Sequence, residues 1–359
     1  MNRLSVLIFT FWASCWVSPA LTLKAVAAFD LKPGYYSVKE FKLQSGAVLR
    51  GMKVEYATFG TPKVDTNGDI TNAVVFCHGW SGDYSQINLF ERIIGSGKAL
   101  DPDRFFIICP TALGSPGSSC PSASGLGPRF PKYTIGDMVS AQYALVTEHL
   151  NIKRLAGVIG ASMGGHQTLQ WITQYPDFME WAIAIATGPA TTGRNVGVWG
   201  LMSQTIAADP AYMGGKYTKQ PREGLRRAFM GTYMFYFTHA YFQREFSAAD
   251  EVLKGLEDAG LGSEKMAAND IIWRNHAMLS FDVKPTLPKV KAATLIIGVN
   301  SDELFPPHEE FLQVAYGIPG AKVFAFDSIY GHVGCARDIA KAYEAIMEFL
   351  RNTNKGCKP

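Results

Sequence analysis

The sequence predicts an α/β protein with a mostly parallel central sheet, helices on both faces of the sheet and a helical lid insertion. Three observations carry this prediction. Short, continuous apolar runs alternate with helix-compatible segments, which is typical of buried parallel strands. A G-x-S-x-G turn directly follows one of these runs. A long interval without strong strand runs, rich in methionine and aromatic residues, separates two groups of strands.

The elements follow one another in an order that suits such a sheet. The first two strand-like runs are separated by Ser45-Gly46 and resemble an antiparallel hairpin. Helices are expected from about 135 to 149, directly after the G-x-S-x-G turn, and from about 336 to 351. The eight strand-like runs are 36–43, 52–59, 72–77, 104–109, 155–159, 181–186, 293–298 and 322–326.

This order divides the chain into four parts. Residues 1–28 are expected to be a signal peptide, 29–186 and 289–359 the two parts of the α/β core, and 187–288 the helical lid. The aromatic run at 233–237 in the lid has two interpretations. It predicts either an apolar face that covers a substrate pocket or a helix core or homodimer interface, and both can hold for different faces.

The N-terminal residues predict export. Arg3 supplies a positive charge, residues 4–17 form an apolar run, and small residues at 25–28 suit a signal peptidase. Because the apolar run is too short to span a bilayer comfortably, we expect a secreted or periplasmic protein without stable membrane insertion after leader removal. A retained anchor and lipoprotein processing at Cys15 are the alternatives.

The composition of the chain argues against several classes of protein and of binding site. With 359 residues, 47% hydrophobic and 18% charged, the chain is globular, and its net charge of +3 does not favour a nucleic-acid partner. No C-x-x-C spacing occurs, so we expect no metal site and no cofactor. Cys77 and Cys109 are expected to be buried thiols, and an oxidising compartment permits one disulfide among Cys120, Cys335 and Cys357.

The G-x-S-x-G match at 160–164 predicts a nucleophile elbow centred on Ser162. In such a strand-turn-helix, small residues two positions before and two after the serine avoid a collision, and the hydroxyl is exposed above the sheet. The alternative is a glycine-rich turn that happens to contain serine. The nucleophile hypothesis therefore needs a base and an acid elsewhere in the chain.

Asp302 and His332 are the candidates for the acid and the base. Both follow predicted strands in the C-terminal part, and the order serine, aspartate, histidine is the one expected for this turn. Histidine accepts the serine proton, and the carboxylate fixes the ring tautomer. Asp327, at the end of a strand near His332, is the rival acid.

An oxyanion hole needs two N–H donors. One is expected from the backbone of Met163, directly after Ser162 and at a helix N-terminus. The other is expected from the loop after the 72–77 strand, with Trp80 as the candidate donor. We expect His78 to brace that loop rather than transfer protons.

Segments along most of the chain resemble homoserine O-acetyltransferases, a branch of the α/β-hydrolase superfamily. The resemblance extends from about residue 54 to 332 and implies an α/β-hydrolase fold with Ser162, Asp302 and His332 at the positions of that family's catalytic triad. The segments that carry it are GSGKALDPDRFF at 95–106, FP at 130–131, TIGDMV at 134–139, SMGG at 162–165, DP at 209–210, LFPP at 304–307 and YGH at 330–332.

The sequence departs from that family at two substrate-binding positions. The resemblance places Ser203 where the family has an arginine for the amino-acid carboxylate, and Val333 where it has an aspartate after the catalytic histidine. The loop at 79–81 reads Gly-Trp-Ser where the family usually has Ala-Leu-Thr. With Ser203 and Val333 at these positions, the charged groups of homoserine would have no ionic partners. We therefore expect the acyl group to pass to an acceptor other than homoserine.

We therefore predict an exported serine hydrolase that cleaves a small-molecule carboxylic ester, with lactones and amides as further candidates, through an acyl-enzyme. The alternative is an O-acyltransferase related to that family but with another acceptor. A third hypothesis is a non-catalytic binding protein on the same scaffold.

Overall fold

The computed structural model describes residues 29–353 of the chain. The predicted signal peptide, Cys15 and Cys357 lie outside the described residues.

Eight strands form one sheet in the order β1-β2-β4-β3-β5-β6-β7-β8. β1 pairs with β2 and β2 with β4 in antiparallel fashion, and every other neighbouring pair is parallel. The strands are β1 (Gly34–Lys42), β2 (Val48–Phe59), β3 (Ala73–Cys77), β4 (Phe106–Pro110), β5 (Leu155–Ala161), β6 (Met179–Ile185), β7 (Ala293–Val299) and β8 (Lys322–Phe326).

Helices cover the sheet and fill the interval between β6 and β7. The α-helices are α1 (Ile135–Ala144), α2 (Met163–Gln174), α3 (Gly193–Ala208), α4 (Arg222–Tyr236), α5 (His239–Glu245), α6 (Ala249–Ser263), α7 (Ala268–Leu279), α8 (Leu312–Gly317), α9 (Gly334–Arg337) and α10 (Tyr343–Thr353). The prediction of one continuous helix from about 336 to 351 is wrong in extent. The chain leaves helical geometry at Asp338 (φ −106°, ψ 14°) before α10 begins.

The sheet is buried on both faces. Alternate residues of β3 point to opposite sides, with Val75 and Cys77 in one apolar core and Val74 and Phe76 in the other. The first core contains α1, α2 and the helices between β6 and β7, and the second contains α10. This arrangement confirms the predicted α/β class with a mostly parallel sheet.

The five helices α3 to α7 lie between β6 and β7. Of the aromatic residues here, Tyr233, Phe237 and Tyr241 pack against one another, whereas Phe229 and Tyr236 contact residues near Ser162. Packing within the insertion thus involves Tyr233 and Phe237 of the aromatic run, while Tyr236 contacts His332. That the run covers a substrate pocket stays a prediction. A homodimer through this region stays a prediction. Within residues 29–353, no helix is both long and apolar enough to cross a membrane.

The four cysteines of the described residues, Cys77, Cys109, Cys120 and Cys335, are buried and form no disulfide with one another. Of the pairings that the sequence permits, Cys120–Cys335 is therefore not formed, and the two pairings with Cys357 stay predictions. Cys77 lies at the end of β3, and Cys109 is the penultimate residue of β4, inside the sheet core.

Candidate active site

Ser162 lies on a strained turn between β5 and α2. Its backbone has φ 59° and ψ −121°, an unfavourable region for a residue with a side chain. The Ser162 N–H donates to the carbonyl of Ile185 on β6 at 2.9 Å, and the Ser162 carbonyl accepts the His166 N–H at 3.0 Å. These backbone hydrogen bonds keep Ser162 in this strained conformation. The residue remains partly accessible to solvent.

The glycines on either side of Ser162 are required by sterics. A Cβ on Gly160 would lie 2.4 Å from the Gly164 carbonyl oxygen, and one on Gly164 would lie 2.1 Å from the Cys77 carbonyl oxygen. Both contacts are far shorter than any side chain tolerates, and both involve backbone atoms that cannot move aside. Glycine at these two positions therefore lets β5, β3 and α2 meet closely at the turn.

The structure brings Ser162, His332 and Asp302 together in one hydrogen-bonded chain. His332 Nε2 lies 2.9 Å from Ser162 Oγ, and His332 Nδ1 lies 2.7 Å from Asp302 Oδ2. Because an ionised carboxylate only accepts, Nδ1 carries the proton and Nε2 is free to accept the serine proton. Asp302 Oδ1 accepts the N–H groups of Leu304 and Phe305 at 2.8 and 3.0 Å, which fixes the carboxylate.

The rival acid Asp327 is not part of this chain. Its Oδ1 accepts a hydrogen bond from Asn300 Nδ2 at 2.9 Å, and its carbonyl accepts one from Lys341 Nζ at 2.7 Å. Both donors are exposed at the edge of the sheet. Asp302 is therefore the carboxylate that contacts His332.

Residues 77–82, here named the 77–82 loop, lie beside the Ser162 turn. His78 Nε2 accepts the Ala112 N–H at 2.8 Å, so Nδ1 carries the proton and donates to the Gly79 carbonyl at 2.7 Å. Burial lowers the pKa of His78 to about 4, which keeps the ring neutral. The Gly79 N–H donates to Gln86 Oε1, and the Gly82 N–H donates to the Gly79 carbonyl.

The two expected oxyanion donors, the backbone N–H groups of Met163 and Trp80, belong to buried residues. Among residues 29–353, neither the Met163 N–H at the start of α2 nor the Trp80 N–H in the 77–82 loop has a protein acceptor. Met163 is the first residue of its helix, where the N–H groups lack intrahelical partners. Neither N–H group is therefore bonded to another group of residues 29–353.

The side chain of Trp80 is held by the helices between β6 and β7. Its Nε1 donates to Asn275 Oδ1 on α7 at 2.9 Å, and its ring stacks on Trp199 of α3 at 5.8 Å. Ser203 joins the same network, because its Oγ accepts a hydrogen bond from Asn275 Nδ2 at 3.1 Å and donates to the Trp199 carbonyl. Both hydrogen-bond partners of Ser203 are therefore neutral.

An apolar and aromatic shell surrounds His332. Val333 is buried next to it, Tyr236 of α4 stacks on its ring at 6.1 Å, and Phe305 lies at 5.4 Å. Behind them His166 is fully buried and stacks on Phe281 at 4.1 Å, with neither ring nitrogen bonded to a described residue. Burial lowers the pKa of His166 to about 3.

A cavity of about 740 Å³ lies on the Asp302 side of the site, between the start of α3 and the loop after β7. Its wall includes Asp302, Glu303 and Glu310. Burial raises the pKa of Glu310 to about 7, and the Asp302 and Glu309 carboxylates add to this shift. Glu303 forms an exposed ion pair with Arg194 at 2.8 Å.

A sequence profile of the α/β-hydrolase fold matches residues 72–332. A probable acyltransferase from Methanothermobacter thermautotrophicus is 38% identical over 89% of this chain and 98% of its own length. A homoserine O-acetyltransferase from Trichormus variabilis is 36% identical over 89% of this chain and 93% of its own length. The chain belongs to the homoserine O-acetyltransferase-like branch of the α/β-hydrolase superfamily.

Membership in this branch confirms the resemblance drawn from the sequence. An acetylester hydrolase from Corynebacterium glutamicum superposes on this α/β hydrolase with a TM-score of 0.79, at 26% identity and covering 89% of this chain and 96% of that one. The branch therefore contains proteins named for acyl transfer, and the fold also carries ester hydrolysis.

Sequence reasoning missed two residues that bind the 77–82 loop. Arg274 and Asn275, adjacent on α7, both contact Trp80. One signal was available for Arg274. It shares helical spacing with the buried Ile271 and Met278, so it is a charged residue on an apolar face.

Proposed function

We propose that this enzyme cleaves a carboxylic ester through a covalent acyl-Ser162 intermediate. The observation that carries the proposal is the hydrogen-bonded chain from Ser162 Oγ through the His332 ring to Asp302. Ser162 Oγ attacks the ester carbonyl carbon while His332 Nε2 takes the hydroxyl proton. The C–O bond to the alcohol then breaks, and His332 returns the proton to the leaving oxygen.

The second half of the reaction repeats the first with water as nucleophile. His332 takes a proton from water, and the oxygen of that water attacks the acyl carbon. The bond to Ser162 Oγ then breaks to give the carboxylic acid, and His332 returns the proton to Ser162 Oγ. In both halves negative charge develops on the carbonyl oxygen. We assign the stabilisation of this charge to the backbone N–H groups of Met163 and Trp80, and the assignment is supported by the lack of a protein acceptor for either group within the described part of the chain.

Water as the acceptor is supported by the uncharged residues at positions 203 and 333. Ser203 bonds to Asn275 and the Trp199 carbonyl, and the nearby Arg194 is engaged by Glu303 at the surface. Neither substrate-binding charge that the resemblance implies for homoserine is present at positions 203 and 333. At these two positions a free amino acid would find no ionic partner for its carboxylate or its ammonium group.

Acyl transfer to an alcohol other than homoserine is the second candidate. It is favoured by the relatives at 38% and 36% identity, which carry the names acyltransferase and homoserine O-acetyltransferase. The two candidates share the acyl-Ser162 intermediate and differ only in what attacks it. The export expected from residues 1–28 would favour hydrolysis over acyl transfer, because the donor acetyl-CoA is scarce outside the cytoplasm.

The test measures p-nitrophenyl acetate turnover and labelling by a fluorophosphonate in the wild type and in Ser162→Ala. We expect Ser162→Ala to lose turnover by at least about 10⁴-fold and to lose labelling, with an unchanged thermal transition. Retained turnover in this variant contradicts the assignment of the nucleophile. Adding acetyl-CoA with a panel of alcohols then separates the candidates, because ester formation faster than hydrolysis favours the acyltransferase.

A further inference from the structure

Arg274 of α7 lies behind the 77–82 loop and is 1% exposed. Its Nη1 donates to the Trp80 carbonyl at 2.8 Å, and its Nη2 donates to the Gly114 carbonyl at 3.0 Å. The guanidinium also lies 5.1 Å from the centre of the Trp80 ring. One side chain of the helical insertion thus contacts both the backbone and the side chain of the residue that supplies a proposed oxyanion donor.

This buried charge has no ion-pair partner in the described part of the chain. Asp270, one turn earlier on α7, directs its carboxylate to the N–H and hydroxyl of Ser122 at 2.8 and 2.6 Å instead. The nearby His78 ring is neutral. An unpaired guanidinium in the interior is unfavourable for folding, since arginine cannot shed its proton. The same charge favours negative charge that develops nearby, as it does on the carbonyl oxygen of a tetrahedral intermediate.

The peptide groups on both sides of Trp80 are fixed. In a trans peptide the carbonyl and the following N–H point in opposite directions. The Gly79 carbonyl is held by His78 and Gly82, which sets the direction of the Trp80 N–H. The Trp80 carbonyl is held by Arg274, which prevents the residue from rotating about its own backbone bonds.

We propose that Arg274 is a positioning residue that keeps the Trp80 N–H directed at the developing oxyanion. The inference rests on the proposed function and adds one property to it. Because Arg274 belongs to α7, the oxyanion hole is complete only while the helical insertion is docked on the core.

Two substitutions and a matched control test this role. Arg274→Met removes the charge and both hydrogen bonds but keeps an apolar stem. Arg274→Lys keeps the charge but has one donor nitrogen in place of the two that bond to the Trp80 and Gly114 carbonyls. Trp273→Phe, at the neighbouring position, removes a different bond between α7 and the core, the 2.7 Å bond from Trp273 Nε1 to the Phe130 carbonyl. The control therefore loosens the insertion without touching the 77–82 loop.

The kinetic readout separates transition-state stabilisation from ester binding. For Arg274→Met we expect kcat and the affinity for a trifluoromethyl ketone, which forms a hemiketal oxyanion on serine, to fall together by about 10²-fold. KM should change less than threefold, Arg274→Lys should be intermediate, and Trp273→Phe should keep the wild-type kcat. Wild-type kcat in Arg274→Met, or an equal loss in Trp273→Phe, overturns the proposal.

Hydrogen exchange gives a readout that does not need activity. We expect amides 77–82 to exchange faster in Arg274→Met and Arg274→Lys than in the wild type, and at the wild-type rate in Trp273→Phe. If the wild type hydrolyses no ester, the proposed function fails while this measurement still decides whether Arg274 holds the 77–82 loop. Unchanged exchange in both Arg274 variants overturns it.

Discussion

His332 Nδ1 lies 2.7 Å from Asp302 Oδ2, and both side chains are buried. This contact sets the tautomer that leaves Nε2 unprotonated toward Ser162 Oγ. Replacing the carboxylate by an amide presents an N–H or a weaker acceptor to Nδ1 and favours the wrong tautomer. The proposed mechanism therefore depends on this hydrogen bond.

Asp302→Asn is expected to lower kcat by about 10⁴-fold with little effect on the fold, because the side chain keeps its size. Asp327→Asn is the matched control, since the rival carboxylate ends the neighbouring strand and bonds to Asn300. It should retain kcat within about threefold. Steady-state ester hydrolysis measures both, and a large loss in Asp327→Asn would contradict the assignment of the acid.

Tyr236→Leu is expected to lower kcat by about tenfold, because the ring that stacks on His332 at 6.1 Å is lost and the imidazole gains freedom. The thermal transition should also fall, since Tyr236 is buried. Met234→Ala, at an exposed position of the same helix, is the control and should keep wild-type kcat. Wild-type turnover in Tyr236→Leu would show that the stacking does not position His332.

His166→Leu is expected to stabilise the protein increasingly as the pH falls. The native His166 stays neutral because burial lowers its pKa to about 3, whereas the unfolded residue binds a proton near pH 6.5. Below that pH the unfolded state binds more protons, so this group costs about 1.4 kcal/mol of stability per pH unit down to its native pKa. Leucine removes that cost.

Urea unfolding of wild type and His166→Leu at pH 7.5, 6 and 5 measures this effect. His239→Leu, at an exposed position on α5, serves as control and should show no growing difference. Hydrolysis should change less than about threefold in His166→Leu, because neither ring nitrogen bonds to a described residue. A difference independent of pH would contradict a buried neutral imidazole.

Glu310→Gln is expected to stabilise the protein at high pH, whereas His166→Leu does so at low pH. Burial raises the pKa of Glu310 from 4.5 to about 7, so the native state keeps a proton that the unfolded state has lost. Wild-type stability from this group therefore falls as the pH rises from about 4.5 to 7 and stays low above that.

Thermal unfolding at pH 4.5, 6 and 8 should show a difference between Glu310→Gln and wild type that is smallest at pH 4.5 and largest at pH 8. Glu309→Gln, an exposed neighbour, is the control. A constant difference would mean that Glu310 is ionised in the native state throughout this range.

Much of the fold and of the candidate site could be predicted from the sequence, because the sequence patterns that indicate them are local. A continuous apolar run such as Leu155–Ala161 marks a strand buried on both faces, and glycine at 160 and 164 marks a turn where backbone meets backbone. Asp302 and His332 were identifiable because parallel strands bring their carboxyl ends to one edge, which converts chain order into proximity. The break in the last helix at Asp338 carried no comparable local signal.

The sequence by itself determined the α/β class, the strained serine turn, and the pairing of that serine with one histidine and one of two carboxylates. Tertiary structure alone decided which carboxylate contacts His332 and how the 77–82 loop is held. Arg274 is 194 positions from Trp80 in the chain, and only the docking of α7 on the core brings them within 2.8 Å. Local patterns fix elements and their order, whereas contacts between distant elements depend on the packing of whole helices against the sheet.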